Sequence, residues 1–233
     1  MTKPEFCDEF GGAFPEAEDT SRRWEMFVTV AAAFTSGAPL FDNKALASRT
    51  WTLAGPGGLQ SVIDSLGPFG ADPQRKKTRI LLQQLYRYDL LRFSDPEQLR
   101  PAIEHHIIRL YLRTGRVARI GTSMLRATGN RASDIRNLTA LRAAVEQAMS
   151  YTAAAAELTV NEINEIEWQV GRSYCIRSEP RCEGPCRSDK PVDSTIAQLA
   201  SGACPFVAIC DAPRYEGFAR LTEPRLAKHH GFY

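Results

Sequence analysis

The chain has 233 residues, 43% of them hydrophobic, enough to bury a sizeable core in one domain or in two small lobes sharing a helix. Its longest apolar run, Met26 to Phe34, is too short to span a bilayer, and the opening Met-Thr-Lys-Pro-Glu-Phe-Cys has no basic stretch followed by an apolar one, so a globular, cytoplasmic protein with no membrane partner is expected. The net charge of +2 hides an asymmetry: residues 1–19 hold six of the 27 acids and one of the 29 bases, leaving 28 bases against 21 acids in the rest. That excess suits a polyanionic partner, and equally a solvated surface.

Residues 1–20, acidic and containing Gly and Pro, read as a flexible leader. A helix follows over Ser21–Phe34, with Trp24, Phe27, Val28 and Ala31 at helical spacing on one face. A second is expected over Asn43–Leu53, ended by Ala54-Gly-Pro-Gly-Gly, and a third over Leu59–Leu66, ended by Gly67-Pro68. Residues 74–93 predict a basic, then apolar helix with Ile80, Leu81, Leu85, Tyr88 and Leu91 on one side. Ser94-Asp-Pro-Glu97 has the capping-box pattern and predicts a helix over Asp95–Arg113 that stops at Gly115. An Arg-rich connection over Gly121–Ser133 leads to an Ala-rich helix over Asp134–Ala156. Thr159-Val-Asn-Glu162 is another capping box, starting a helix that runs through Trp168 and Val170 into the cysteines. No alternating strand pattern and no internal repeat is present, so the fold class is all-α.

Five of the six cysteines fall within the 36 residues from Cys175 to Cys210, while Cys7 stands alone. A cytosolic chain seldom keeps disulfides, so so tight a group points to metal ligation. Thiolates are soft ligands for iron-sulfur clusters and for zinc. A four-cysteine zinc knot favours short gaps within each pair, whereas six residues separate Cys175 from Cys182 and five separate Cys204 from Cys210; zinc is therefore the lesser alternative. Arg172, Arg177, Arg181 and Arg187 surround the group, either as a phosphate-facing surface or as an offset to thiolate charge.

The segment Gly171-Arg-Ser-Tyr-Cys175-Ile, with Pro180-Arg-Cys182 and Cys204-Pro-Phe-Val-Ala-Ile-Cys210, resembles the cluster loop of the helix-hairpin-helix DNA glycosylases of the endonuclease III and adenine glycosylase type. Those carry a C-terminal [4Fe-4S] cluster on cysteines with gaps of six, two and five residues. Here 21 residues separate Cys182 from Cys204, which reads as an insertion carrying Cys186. The resemblance implies Cys175, Cys182, Cys204 and Cys210 as ligands, with Cys186 in place of Cys204 as the alternative.

The likeness extends over residues 60–212. Ile103-Glu104-His105-His106-Ile107-Ile108-Arg109 is similar to the family's Val-Asp-x-His-Val-x-Arg pattern at a helix start, so Glu104 stands at the catalytic carboxylate, His106 at the family histidine, and Arg109 and Arg113 at its arginines. A carboxylate suits base excision because the C1'–N bond breaks through an oxocarbenium-like sugar. His105 and His106 are not expected to share a metal, since adjacent helical residues face different sides. Gly67-Pro-Phe-Gly70 and Lys76-Lys77-Thr78-Arg79 lie where the family has its hairpin, which implies backbone amides facing a phosphate, Lys76, Lys77, Arg79, Arg109 and Arg113 as nucleic-acid contacts, and Lys77 as a possible Schiff-base lysine for lyase chemistry.

The resemblance thus implies a monomeric, two-lobed helical DNA N-glycosylase: a leader over 1–20, the glycosylase-like domain over 21–174, the cluster loop over 175–212 and a tail over 213–233. The alternatives are a glycosidase acting on modified RNA or a free nucleoside, and a non-catalytic iron-sulfur protein that binds nucleic acid or senses redox state. Trp51, Phe69 and Tyr111 could stack on a base, but aromatics at such positions usually belong to the core.

Overall fold

The structure is a computed structural model that describes residues 2–10, 17–35, 50–71, 74–118, 135–187, 189, 191–200 and 202–224. Helix dominates, in agreement with the all-α class. No helix among the described residues is long and apolar enough to cross a membrane. The chain forms two compact units that divide between Leu99 and Arg100, inside the span expected to be a single helical domain.

In the first unit, α1 (Lys3–Phe10) lies in the expected flexible leader. Its Phe6 is buried, with ring centroids 5.6 Å from those of Trp24 and Phe27 on α2 (Ala17–Thr35), so an aromatic contact holds α1 against α2. Residues 36–49, and with them most of the helix expected over Asn43–Leu53, lie outside the described residues. The end of that span is strand β1 (Thr50–Trp51), paired in parallel with β2 (Arg92–Phe93). α3 (Leu59–Asp64) appears where expected, followed by the single turn α4 (Gly67–Gly70). α5 (Lys76–Arg87) is shorter than its predicted span because Asp89 takes a left-handed conformation (φ 51°) and returns the chain as β2. Trp51, Leu59, Ile63, Leu82 and Phe93 make this unit's core.

The capping box at Ser94–Glu97 does not form. Only a 3-10 turn, Pro96–Gln98, is present, and the Asp95 carboxylate instead accepts from the amides of Leu53 (2.7 Å) and Ala54 (3.0 Å). A helix from Asp95 also meets Pro101, whose ring disfavours helical geometry at Arg100.

In the second unit, α6 (His105–Arg113) lies against α7 (Ile135–Ala156) and α8 (Val160–Ser173). The capping box at the start of α8 is formed in both directions: Glu162 N–H donates to Thr159 Oγ1 (3.2 Å) and Thr159 N–H to the Glu162 carboxylate (2.8 Å). α6 is buried almost all round, one side in a cluster with Val145, Met149 and Ile163, the other, through Leu110, in a cluster with Val170, Tyr174, Cys175 and Cys204. Gly171 makes the α6–α8 approach possible, since a Cβ there would stand 2.9 Å from the His106 carbonyl oxygen. The inserted segment contains α9 (Ser194–Ala200), and the expected tail begins with α10 (Glu216–Ala219). The Arg-rich connection at 121–133 lies outside the described residues.

Candidate metal centre and carboxylate site

The end of α8 sets the first cysteine. The amides of Tyr174 and Cys175 both bond the Val170 carbonyl, and Arg181 N–H returns to the Tyr174 carbonyl (2.9 Å), which curls the loop back and brings in Cys182. Cys204 N–H then donates to the Cys182 carbonyl at 3.0 Å, so the insertion leaves and re-enters the loop at neighbouring points. This is how the 21 intervening residues are accommodated without separating the second and third expected ligands. The Cys210 thiol donates to the Arg113 carbonyl (3.5 Å) and Ala212 N–H bonds the same oxygen (3.1 Å).

Cys175, Cys182, Cys204 and Cys210 line one small internal cavity, walled also by Leu110, Tyr174 and Phe206. Cys186 is not on that wall; it packs alongside Tyr174. Burial pushes the Cys204 thiol up to about 12 and the Cys182 thiol up to about 11, with the neighbouring cysteines adding to both, and Cys210 is raised for the same first reason. Four cysteines on one cavity, with the thiols of Cys182, Cys204 and Cys210 raised by burial, suit a cationic centre that compensates the thiolates. Four cysteine thiols around one cavity are a donor set shared by iron-sulfur clusters and zinc.

Arg109 and Arg113 are 2% and 1% exposed, which corrects their expected role as nucleic-acid contacts. Arg109 donates from Nε to the Cys175 carbonyl, from Nη1 to the Glu223 carboxylate (2.8 Å), and from Nη2 to His106 Nδ1 (2.9 Å) and the Gly171 carbonyl (3.3 Å). Arg113 donates to the carbonyls of Leu221, Ile176 and Arg177 and lies 3.5 Å from Cys175 Sγ. Both arginines hold the cysteine loop on α6. Of the four arginines around the loop, Arg177 pairs with Glu223 (2.7 Å), Arg187 with Asp189, and Arg172 lies over the Trp168 ring, while Arg181 is exposed. Glu223 was not singled out from sequence; the available signal is that it is the sole acid of the last 13 residues.

Glu104 is the N-cap residue of α6, in extended geometry (φ −95°, ψ 168°), with its side chain half-buried. Its carboxylate accepts a hydrogen bond from Trp168 Nε1 at 2.9 Å. The rings of His105 and His106 touch, with centroids 3.8 Å apart, and ligand atoms of Glu104, His105 and His106 lie within 4.8 Å of one another. This corrects the expectation that the histidines diverge, which assumed a helix interior; they occupy the first helical positions after an extended cap. The trio is still a poor metal site. Arg109 can only donate, so His106 Nδ1 accepts and the neutral ring carries its proton on Nε2, leaving no lone pair for a metal.

In the first unit, Lys76 is buried, Arg79 is half-buried, and Lys77 Nζ donates to the Pro68 carbonyl (3.2 Å). The amides of Phe69 and Gly70 both bond the Leu66 carbonyl, so the Gly67–Gly70 turn does not offer them to a phosphate as the hairpin resemblance implied. Trp51 and Tyr111 belong to the cores of their units. Behind the cysteine cavity, Arg116 pairs with the buried Glu167 and stacks 3.9 Å over the Tyr111 ring. Burial nevertheless raises the Glu167 carboxyl, against the opposing pull of Arg116.

Comparison with family models, curated proteins and solved structures gave no match.

Proposed function

We propose that the chain is a nucleobase N-glycosylase that removes a damaged or modified base from DNA in the cytoplasm and carries a [4Fe-4S] cluster on Cys175, Cys182, Cys204 and Cys210. The observation that supports this most is that one helix serves both sites. α6 presents Glu104 at its first turn, and its far half, through Leu110, Arg109 and Arg113, forms the wall and clamps of the four-cysteine cavity. In this reading the Glu104 carboxylate faces the sugar of a flipped nucleotide and stabilises the positive charge that develops at C1' as the C1'–N bond breaks; the base leaves with the bonding electrons, water adds to C1' as a hydroxyl, and the proton that water gives up goes to the departing base. Bound at the cysteines, the cluster supplies rigidity to the loop rather than chemistry on the base.

One observation favours the second reading, a modified RNA or a free nucleoside as substrate. Lys76, Arg109 and Arg113, three of the five residues expected to grip a duplex, are buried. Release of free base from duplex DNA, from RNA and from nucleosides, each bearing modified bases, separates the substrates. The Glu104→Gln protein should bind its substrate and release no base. Iron and sulfide analysis of anaerobically purified protein should give about four of each per chain. Stoichiometric zinc in their place, or full activity of Glu104→Gln, would refute the proposal.

A further inference from the structure

We infer that Trp168 is a positioning residue for the Glu104 carboxylate and that the insertion between Cys182 and Cys204 holds Trp168 in place through Arg172. This rests on the reading of Glu104 as the reacting carboxylate. The two departures from the family pattern, a glutamate for an aspartate and 21 residues for two, then belong to one device.

A glutamate has one more rotatable bond than an aspartate, so its carboxylate needs an additional restraint to stay in a single position. The indole N–H of Trp168 supplies it at 2.9 Å, from a helix whose start is firmly capped. Trp168 is in turn covered by Arg172, whose guanidinium carbon lies 4.3 Å from the ring centroid. A cation over the ring face draws electron density from it, which makes the N–H a stronger donor. Arg172 itself is fixed by the insertion, since its Nη2 donates to the Pro191 carbonyl (3.2 Å). The insertion is fastened to α8 on either side of that contact, by Asp193 N–H to Gln169 Oε1 (2.6 Å) and Arg187 N–H to the Ser173 carbonyl (3.1 Å). The chain of contacts runs from the inserted backbone through Arg172 and Trp168 to the carboxylate.

Two measurements test this on the intact protein. In the first, the indole N–H resonance of Trp168, assigned by its loss in Trp168→Phe, is followed in Glu104→Gln and in Arg172→Leu. Both variants should move it upfield, toward a weaker hydrogen bond, and Arg172→Lys should restore most of the parent position. In the second, Trp168→Phe, which keeps the ring, should lower kcat for base release about 10- to 100-fold with KM little changed. A Trp168 resonance indifferent to Glu104→Gln and Arg172→Leu, or a parental kcat in Trp168→Phe, overturns the inference. Absence of base release by the parent overturns the glycosylase reading, while the resonance still decides whether the insertion sets the carboxylate.

Discussion

Glu223 and Glu216 lie seven residues apart, and each pairs with an arginine, yet their replacement should have very different consequences. Glu223 is 4% exposed and accepts from Arg109 (2.8 Å) and Arg177 (2.7 Å), whereas the Glu216–Arg220 pair is 77% and 68% exposed. In Glu223→Gln the shape is kept and the charge is lost, so Arg109, buried beside it, holds an uncompensated cation. Breaking a buried pair costs about 3–5 kcal/mol, and the lower end applies because Arg177, 34% exposed, can turn to water. With a urea slope of at most about 3 kcal/mol per molar, the unfolding midpoint should fall by about 1 M or more. Glu216→Gln should stay within about 0.5 kcal/mol of the parent. The assay is urea unfolding followed by circular dichroism, with iron content measured in parallel, because Arg109 also holds the Cys175 carbonyl. Equal midpoints for the two variants would refute the reasoning that burial, rather than the presence of an ion pair, decides the cost.

Cys204→Ala should lose the chromophore and most of the bound iron while Cys186→Ala keeps both, since only the first lines the cavity; the reverse result assigns Cys186 as the ligand. Gly171→Ala places a Cβ 2.9 Å from the His106 carbonyl oxygen, a backbone atom that cannot swing aside, and should cost about 1–3 kcal/mol, read from the same urea curves. Glu167 has a carboxyl raised above 4.5 by burial, so the folded protein holds a proton that the unfolded chain releases. Its contribution is complete below about pH 4.5 and is lost as pH rises through the folded value, so Glu167→Gln should gain on the parent across that rise. A constant difference between the two proteins from pH 4 upward would contradict this.

Much of this architecture is legible in the sequence, and the parts that are not have identifiable causes. Two capping-box patterns occur, but only Thr159–Glu162 acts as one. It is followed by a proline-free segment, whereas Ser94–Glu97 is followed within a turn by Pro101, and the Asp95 carboxylate finds better partners in the amides of Leu53 and Ala54, distant in sequence. The grouping of five cysteines is plain in the sequence, and the resemblance to the cluster loop implies which four converge. The choice between Cys186 and Cys204 does not, because it depends on the Cys204–Cys182 backbone bond that closes the insertion at its base. Tyr88 and Thr78 show the limit of periodicity: the expected apolar face of α5 places Tyr88 inside, yet the helix ends before it and buries Thr78, whose hydroxyl donates to Asp64.

The arginines carry the most consequential difference. Spacing alone presents Arg109 and Arg113 as one basic face of a helix, and a basic face next to a cysteine loop invites a phosphate. Most of their partners are backbone carbonyls of the end of α8 and of that loop, 62 to 66 residues further along the chain, joined by the Leu221 carbonyl and the Glu223 carboxylate, and no local pattern reports such contacts. The charge excess outside the acidic leader therefore overstates what the surface offers, because Arg109, Arg113 and Arg142 are buried and Arg177 is drawn inward by Glu223. With a metal centre bound as proposed, the cysteine thiolates need positive charge close by, and Arg113, 3.5 Å from Cys175 Sγ, stands where it offsets them. The same cations cannot also meet a nucleic acid. If the proposed DNA substrate holds, a duplex-binding surface has to come from other residues, with Arg181, exposed on the cysteine loop, the first to test by the salt dependence of binding.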